Sequence, residues 1–556
     1  MMTMKKIALI AGMGWMALSV AHAQQDSTLN RTVVVENQYN PTIMDASKVN
    51  VLPKVEEPVV PKTRIDYSTA VRPLGAWNNQ TMAPMTREWE SDASYRGYVR
   101  AGYGSKGNVD MKAGYLWDIS KKDRLNVEAS LDGWNGKLAG MQDQDWESRL
   151  YNTRLGLDYK HAFKKMDLTL GGSYRSQVFN YVYRLLPGFA NPGSYSNKQH
   201  HTMGHAYIGL ASTDKDLPVQ FAAEAGVKSF GEKYPVMDHE YKNKETNLYL
   251  KGNVWKPSII GGLMGLKVNI DSYSYTAAGA EGWVAIEVNP YYSKQSDDWR
   301  IHVGAHLDRA GGESGKFYVS PDVNAEYIFS DTYVLFARAG GGRQLSSFYE
   351  LADVTPYFYE SGVQPTYMTL DAAVGLKASP MNGWWFLLSG GYQIRENDVC
   401  WSLGEGYPLW HARNIYGDTK VFYGTAELKY DYKDLLDFSV KGTYYNWKWE
   451  NTSWYGGGSN LYDAALSLKP ELEVNIEAGY KVMEGLRVNV GYDYVKRCNG
   501  TAGDPISNLH AGADYVLLKN LTVFAQINNL LNKEYIDHYV YPTQKLNFLA
   551  GLSYRF

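Results

Sequence analysis

Histidines, carboxylates, cysteines and tryptophans are the side chains of this sequence that could do chemistry. His200, His201 and His205 stand close enough together to bind a transition metal, but no carboxylate or cysteine nearby completes the ligand set. His510 with Asp514, and Asp298 with His302, each fall four residues apart, on what would be one face of a strand. Such isolated pairs suit polar groups lining a wet surface better than a reaction centre. Catalysis needs a nucleophile, a base and an orienting group brought together, and no such set stands out. We therefore expect no enzyme activity, no metal site and no cofactor. Gly340 to Gly342 and Gly456 to Gly458 lack the strand-to-helix context of a phosphate cradle and read as turns. Cys400 and Cys498 are the only two cysteines, and spacing alone does not pair them. Aromatic clusters remain. Trp447, Trp449 and Trp454 follow Tyr444 and Tyr445, and Trp401 and Trp410 form a second group. Tyr181 and Tyr183 belong to a third, with Phe179, Leu185, Leu186 and Phe189. Such rings could stack on a sugar or grip a protein; the competing reading for the tryptophans is an interfacial aromatic girdle.

The elements that must hold these residues are strands. From about residue 94 onward, apolar and polar residues alternate. Leu472, Val474, Ile476 and Ala478 oppose Glu471, Glu473, Asn475 and Glu477; Leu266, Val268 and Ile270 oppose Lys267, Asn269 and Asp271. A period of two is a strand with two unlike faces. A face so consistently charged cannot be the core of a sandwich, but it can line a watery lumen with lipid outside. About 22 such segments can be counted, starting near 94, 107, 124, 150, 165, 202, 217, 245, 263, 281, 297, 315, 331, 364, 382, 415, 433, 463, 484, 505, 520 and 544. We expect an all-β, antiparallel transmembrane barrel of about 22 strands over residues 94–556. With 45 Tyr, 16 Trp and 53 Gly and a net charge of −3, the composition suits a membrane interface and offers nothing to nucleic acid.

Connections after even-numbered segments are tight, and most after odd-numbered ones are long. Short periplasmic turns and long outer loops are the asymmetry expected of an outer-membrane barrel. That parity puts both termini in the periplasm of a Gram-negative envelope. Residues 1–23 read as a signal peptide, with Lys5 and Lys6, a short apolar run and Ala21-His22-Ala23 before the cleavage point. Residues 24–93 hold Asn40-Pro41, Leu52-Pro53, Glu57-Pro58 and Val60-Pro61 and read as an extended periplasmic arm.

Residues 520–556 carry the most specific pattern. Leu521 to Ile527 alternates into Asn528-Asn529-Leu530-Leu531-Asn532-Lys533-Glu534-Tyr535, and the chain closes on Leu546, Phe548, Ala550, Leu552, Tyr554 and Phe556 at every second position. This resembles the last two strands of the TonB-dependent receptors. The resemblance implies a 22-strand barrel, a transport function, and a closing strand, marked by Tyr554 and Phe556, that the outer-membrane assembly machinery recognises. Thr32, Val33, Val34 and Val35 resemble a TonB box, which would add as a strand to a TonB-like partner; any β-prone segment is the competing reading. The family also carries a plug larger than the arm seen here. A barrel this wide needs its lumen filled, by folded-in loops, the N-terminal arm or another protein; the loops Ser176 to His201 and Gln344 to Phe358 are candidates, and their competing reading is an outer cap that binds nothing. Ligand uptake is the leading expectation, with Trp447, Trp449, Trp454, Tyr181 and Tyr183 as candidate outer-loop contacts. The alternatives are a barrel that anchors an envelope complex through a periplasmic or lipoprotein partner, and a passive diffusion channel.

Overall fold

The period-2 segments form strands that close on themselves. The computed structural model describes residues 95–556, apart from 140–144, 184–195, 235–241, 277–280, 312–314, 331, 345–346, 359–362, 405–408, 451–465, 499–503 and 539–540. The signal segment, the arm with Thr32, Val33, Val34 and Val35, and Trp454 lie outside the described residues.

The barrel strands are β1 (Gly97–Gly104), β2 (Val109–Asp118), β3 (Asp123–Ala139), β4 (Asp145–Ala162), β5 (Met166–Asn180), β6 (Lys198–Ser212), β7 (Gln220–Glu232) and β8 (Lys244–Pro257). They continue with β9 (Leu263–Thr276), β10 (Trp283–Gln295), β11 (Trp299–Gly311), β12 (Lys316–Ser330), β13 (Tyr333–Gln344), β14 (Thr366–Ala378) and β15 (Trp384–Gly404). The last are β16 (Leu409–Tyr432), β17 (Leu436–Glu450), β18 (Pro470–Met483), β19 (Leu486–Arg497), β20 (Ile506–Leu518), β21 (Leu521–Asn528) and β22 (Asn547–Arg555). Each pairs antiparallel with its predecessor, and β22 pairs with β1 from Tyr98↔Arg555 to Gly104↔Leu549. The 22-strand expectation holds, and each strand starts within seven residues of its sequence estimate. The larger differences are at the long-loop end. Residues 396–418, between the segments expected to start near 382 and 415, are mostly β15 and β16, whose ladder runs on to Gly404↔His411.

Closure depends on a small seam. On its outer face Phe548, Leu552, Tyr554 and Phe556 are exposed. Phe556 stacks on Tyr115 with ring centroids 5.9 Å apart, and its carbonyl accepts the Arg96 and Gly97 N–H groups at 2.9 Å. On the lumen face Leu549, the one apolar residue among the polar positions, is buried against Phe524. The Arg100 guanidinium lies 3.4 Å from the Phe524 centroid and donates to Asp110 at 3.0 Å. Phe524 fits there because Gly551 has no Cβ: an added carbon would sit 2.6 Å from both Phe524 Cζ and Gly102 Cα.

Gly551→Val should therefore overpack the seam by about 1–3 kcal/mol. The expected result is loss of the compact, heat-modifiable band on electrophoresis of refolded barrel, while Ser553→Ala, one turn of the pleat away, leaves it intact.

Candidate functional site: a capped lumen

Alternation sends the charged residues inward, where they neutralise one another along the wall. Arg343 Nη2 reaches Asp271 at 2.5 Å and Nη1 donates to the Tyr273 hydroxyl at 3.1 Å. His302 Nε2 lies 3.0 Å from Asp322, and His306 Nδ1 lies 2.5 Å from Glu287. His510 pairs with Glu477 at 3.3 Å rather than with Asp514. The three histidines of 200–205 do not converge. His200 meets Ser176 at 2.8 Å, His205 meets the Tyr249 hydroxyl at 2.7 Å, and His201 is enclosed by Phe179, Phe230 and Phe358. No group of three or more metal-ligating side chains is placed to hold an ion among the described residues.

Above this wall, at the long-loop end, the connections fold over the mouth. A hinge starts the process: Asn397 takes a left-handed φ of 50° at a bulge between Arg395 and Asp398. Asparagine tolerates that conformation and a bulge bends its strand. Beyond the bend, the start of β16 reaches the connection after β5, pairing Leu409↔Tyr183 and Trp410↔Val182. These two strands stand half-way round the ring from each other, so this short ladder spans the opening.

Its second component is a helix, α1 (Phe348–Val354), between β13 and β14. Ser347 caps it by accepting the Glu350 N–H. Glu245 at the start of β8 accepts the Phe348 N–H at 2.6 Å and the Tyr349 N–H at 3.4 Å, so the carboxylate meets two of the helix's unsatisfied donors. Gln177 donates to the Ala352 carbonyl at 3.2 Å, Arg175 pairs with Asp353, and the Tyr181 hydroxyl donates to the Phe358 carbonyl at 3.2 Å. The apolar side of α1 (Phe348, Leu351, Ala352 and Val354) packs with Phe358 on Met203, Phe230, Val399 and Leu468. Next to it Trp146, Phe179, Tyr181, Tyr357 and Tyr541 form a second core, with Tyr357 and Tyr541 stacked at 3.7 Å. A fully buried Phe or Leu contributes about 1.5–3 kcal/mol, so a connection with Phe348, Leu351 and Phe358 all fully buried is a packed layer and not a frayed loop.

Trp447 and Trp449 lie on β17 rather than in a loop. With Tyr445 they occupy alternate lumen-side positions and are buried with Val421, Cys400 and Leu466. The Trp447 indole donates to the Pro470 carbonyl at 2.8 Å, and Lys469 Nζ lies 5.1 Å from its ring centroid. Both cysteines are free thiols in or against this cluster, and burial pushes the Cys498 thiol, just past β19, up to about 11. Tyr181 is buried in the cap, and Tyr183 sits in the cross-mouth ladder. Trp447 and Tyr181 are thus on separate cores. Sequence reasoning missed Glu245, Gln177 and Arg175, which carry no signal beyond their lumen-facing parity. The alternation Tyr445, Trp447, Trp449 was a readable sign that β17 continues.

No protein-family model matches the sequence, and no curated protein matches it. Solved structures do. The ferric-catecholate import receptor Fiu of E. coli K12, in its closed form, superposes with a TM-score of 0.59 at 11% identity, over 83% of this chain and 82% of that one. The FrpB iron transporter of Neisseria meningitidis gives 0.63 at 11% identity over 84% and 83%, and the copper transporter OprC gives 0.59 at 12% over 83% and 80%. The barrel has the fold of the TonB-dependent receptors. At these identities the likeness is one of fold, and these neighbours are transport receptors rather than enzymes.

Glu245→Ala leaves the buried Phe348 N–H and the part-buried Tyr349 N–H of α1 without this acceptor, at a cost of about 1–3 kcal/mol. Amide exchange should speed up across 348–354 while the ladder β14–β15 keeps its protection; unchanged exchange in α1 would mean that Glu245 does not hold the cap.

Proposed function

We propose that this protein is an outer-membrane uptake receptor of the TonB-dependent type, which captures a ligand at its long-loop end and passes it inward when the cap moves. The observation that carries this reading is the closed 22-strand barrel, shared with Fiu, FrpB and OprC over about four-fifths of each chain. Ferric chelates and copper, the cargo named for those neighbours, are the first ligands to test. The long connections face outward and both termini lie in the periplasm, a reading supported by turns of at most seven residues at the other end. Lipid surrounds the exposed apolar face, and the closing strand with Tyr554 and Phe556 serves the assembly machinery. Thr32, Val33, Val34 and Val35 add as a strand to a TonB-like protein. Trp447, Trp449, Trp454, Tyr181 and Tyr183 become ligand contacts as the cap opens.

The cap argues against a passive channel, because a ladder and two apolar cores cross the mouth. It also favours a second reading, a sealed barrel that anchors an envelope complex. Two measurements separate these readings. In planar bilayers the native protein should carry almost no steady current, and a variant lacking residues 347–358 should carry a large one. A large steady current from the native protein would remove the cap from the argument. Val34→Pro takes a backbone donor out of the proposed box and should abolish energised uptake while leaving surface binding of the cargo intact. Unchanged uptake would favour the anchoring reading.

A further inference from the structure

The tight turn between β8 and β9 differs from the turns around it. Those after β2, β4 and β6 carry Lys121 and Lys122, Lys164 and Lys165, and Lys215. Ser258–Gly262 carries no charge, and its tip is Ile259-Ile260. Ile259 is the most exposed large apolar residue among the described residues, at 102% of its reference surface, and Ile260 follows at 69%.

The turn is built to hold them there. The Gly261 N–H donates to the Ser258 carbonyl at 3.0 Å, and the Ser258 N–H donates to the Gly262 carbonyl at 2.9 Å. Gly261 and Gly262 both take left-handed conformations, at φ 80° and 78°, which only glycine adopts freely. From β10 the Tyr292 hydroxyl donates to the Gly261 carbonyl at 2.8 Å. With backbone and flank both fixed, the isoleucines cannot fold back on the barrel. Behind them Met264, Leu266 and Val254 share the outer face and are exposed, so the tip stands next to the lipid-facing band. Lys256, paired with Met264 in the ladder, has a long stem that lets its ammonium reach the headgroups from within that surface.

We propose that Ser258–Gly262 is a lipid-inserting wedge, which seats Ile259 and Ile260 at the headgroup–acyl boundary of the leaflet on the short-turn side and fixes the depth of the barrel there. Its place next to the lipid-facing band selects lipid as the occupant. The inference rests on the outer-membrane reading above, and the two can fail separately. Single cysteines at Ile259, Leu250 and Lys121, in a Cys400→Ser/Cys498→Ser background, would each carry an environment-sensitive fluorophore. The full-length proteins would be reconstituted in phosphatidylethanolamine–phosphatidylglycerol vesicles with iodide on both sides. Labels at 250 and 259 should be blue-shifted and lose iodide quenching, and the label at 121 should be quenched as in water. Quenching at 259 equal to that at 121, with 250 protected, would overturn the wedge and leave the barrel reading intact. Quenching at 250 as well would overturn both.

Discussion

Backbone amides in lipid have no water to bond, so every strand of this chain must find two partners. The pairing of β22 with β1 is where that requirement is finally met. All other ladders of the barrel wall join sequence neighbours and could form locally, but the seam joins the two ends of the barrel. The residues there meet two demands at once. Tyr554 and Phe556 face out with the apolar band. On the inner face Gly551 leaves room for Phe524, over which Arg100 is spread.

Closure also creates the problem that the cap addresses. Twenty-two strands enclose a lumen too wide for wall side chains to fill. The wall itself is charge-paired, with Arg343–Asp271 and Lys377–Glu326 as examples, so it is wettable. Among the described residues the cover lies at the long-loop end, where polar contacts to strand ends position α1 and aromatic rings pack beneath the connections. Glu245 has a double role: it belongs to a strand by sequence, and it completes a helix that comes from across the mouth.

What could be read from the chain follows from the range of each interaction. Alternation is local, so strand number and the face of each residue were legible in runs such as Leu472 to Ala478. Parity of connection length separated the two ends. The Asn528 to Tyr535 turn and the closing strand pointed to the barrel type. The cap was legible only as two aromatic connections that could fold inward or outward. Its ladder pairs Val182 with Trp410, and no local pattern links residues so far apart. Trp447 and Trp449 looked like loop residues because charged Lys448 and Glu450 interrupt the apolar run. In a lumen wall, however, those charges are simply the other face of the strand.

The two apolar cores of the cap draw on residues near 146, 179, 230, 357, 409 and 541. Those positions come within reach of one another only after the sheet has curled into a full ring. Loop-closure entropy is high for contacts so distant in sequence, so they form after the local ladders. The cap is then a report on completed assembly: a barrel with a strand misplaced or missing would bring these side chains to the wrong points on its circumference, and would stay uncovered. The feature that seals the finished molecule would in this way leave a misassembled one visibly open to the proteases and chaperones of its compartment.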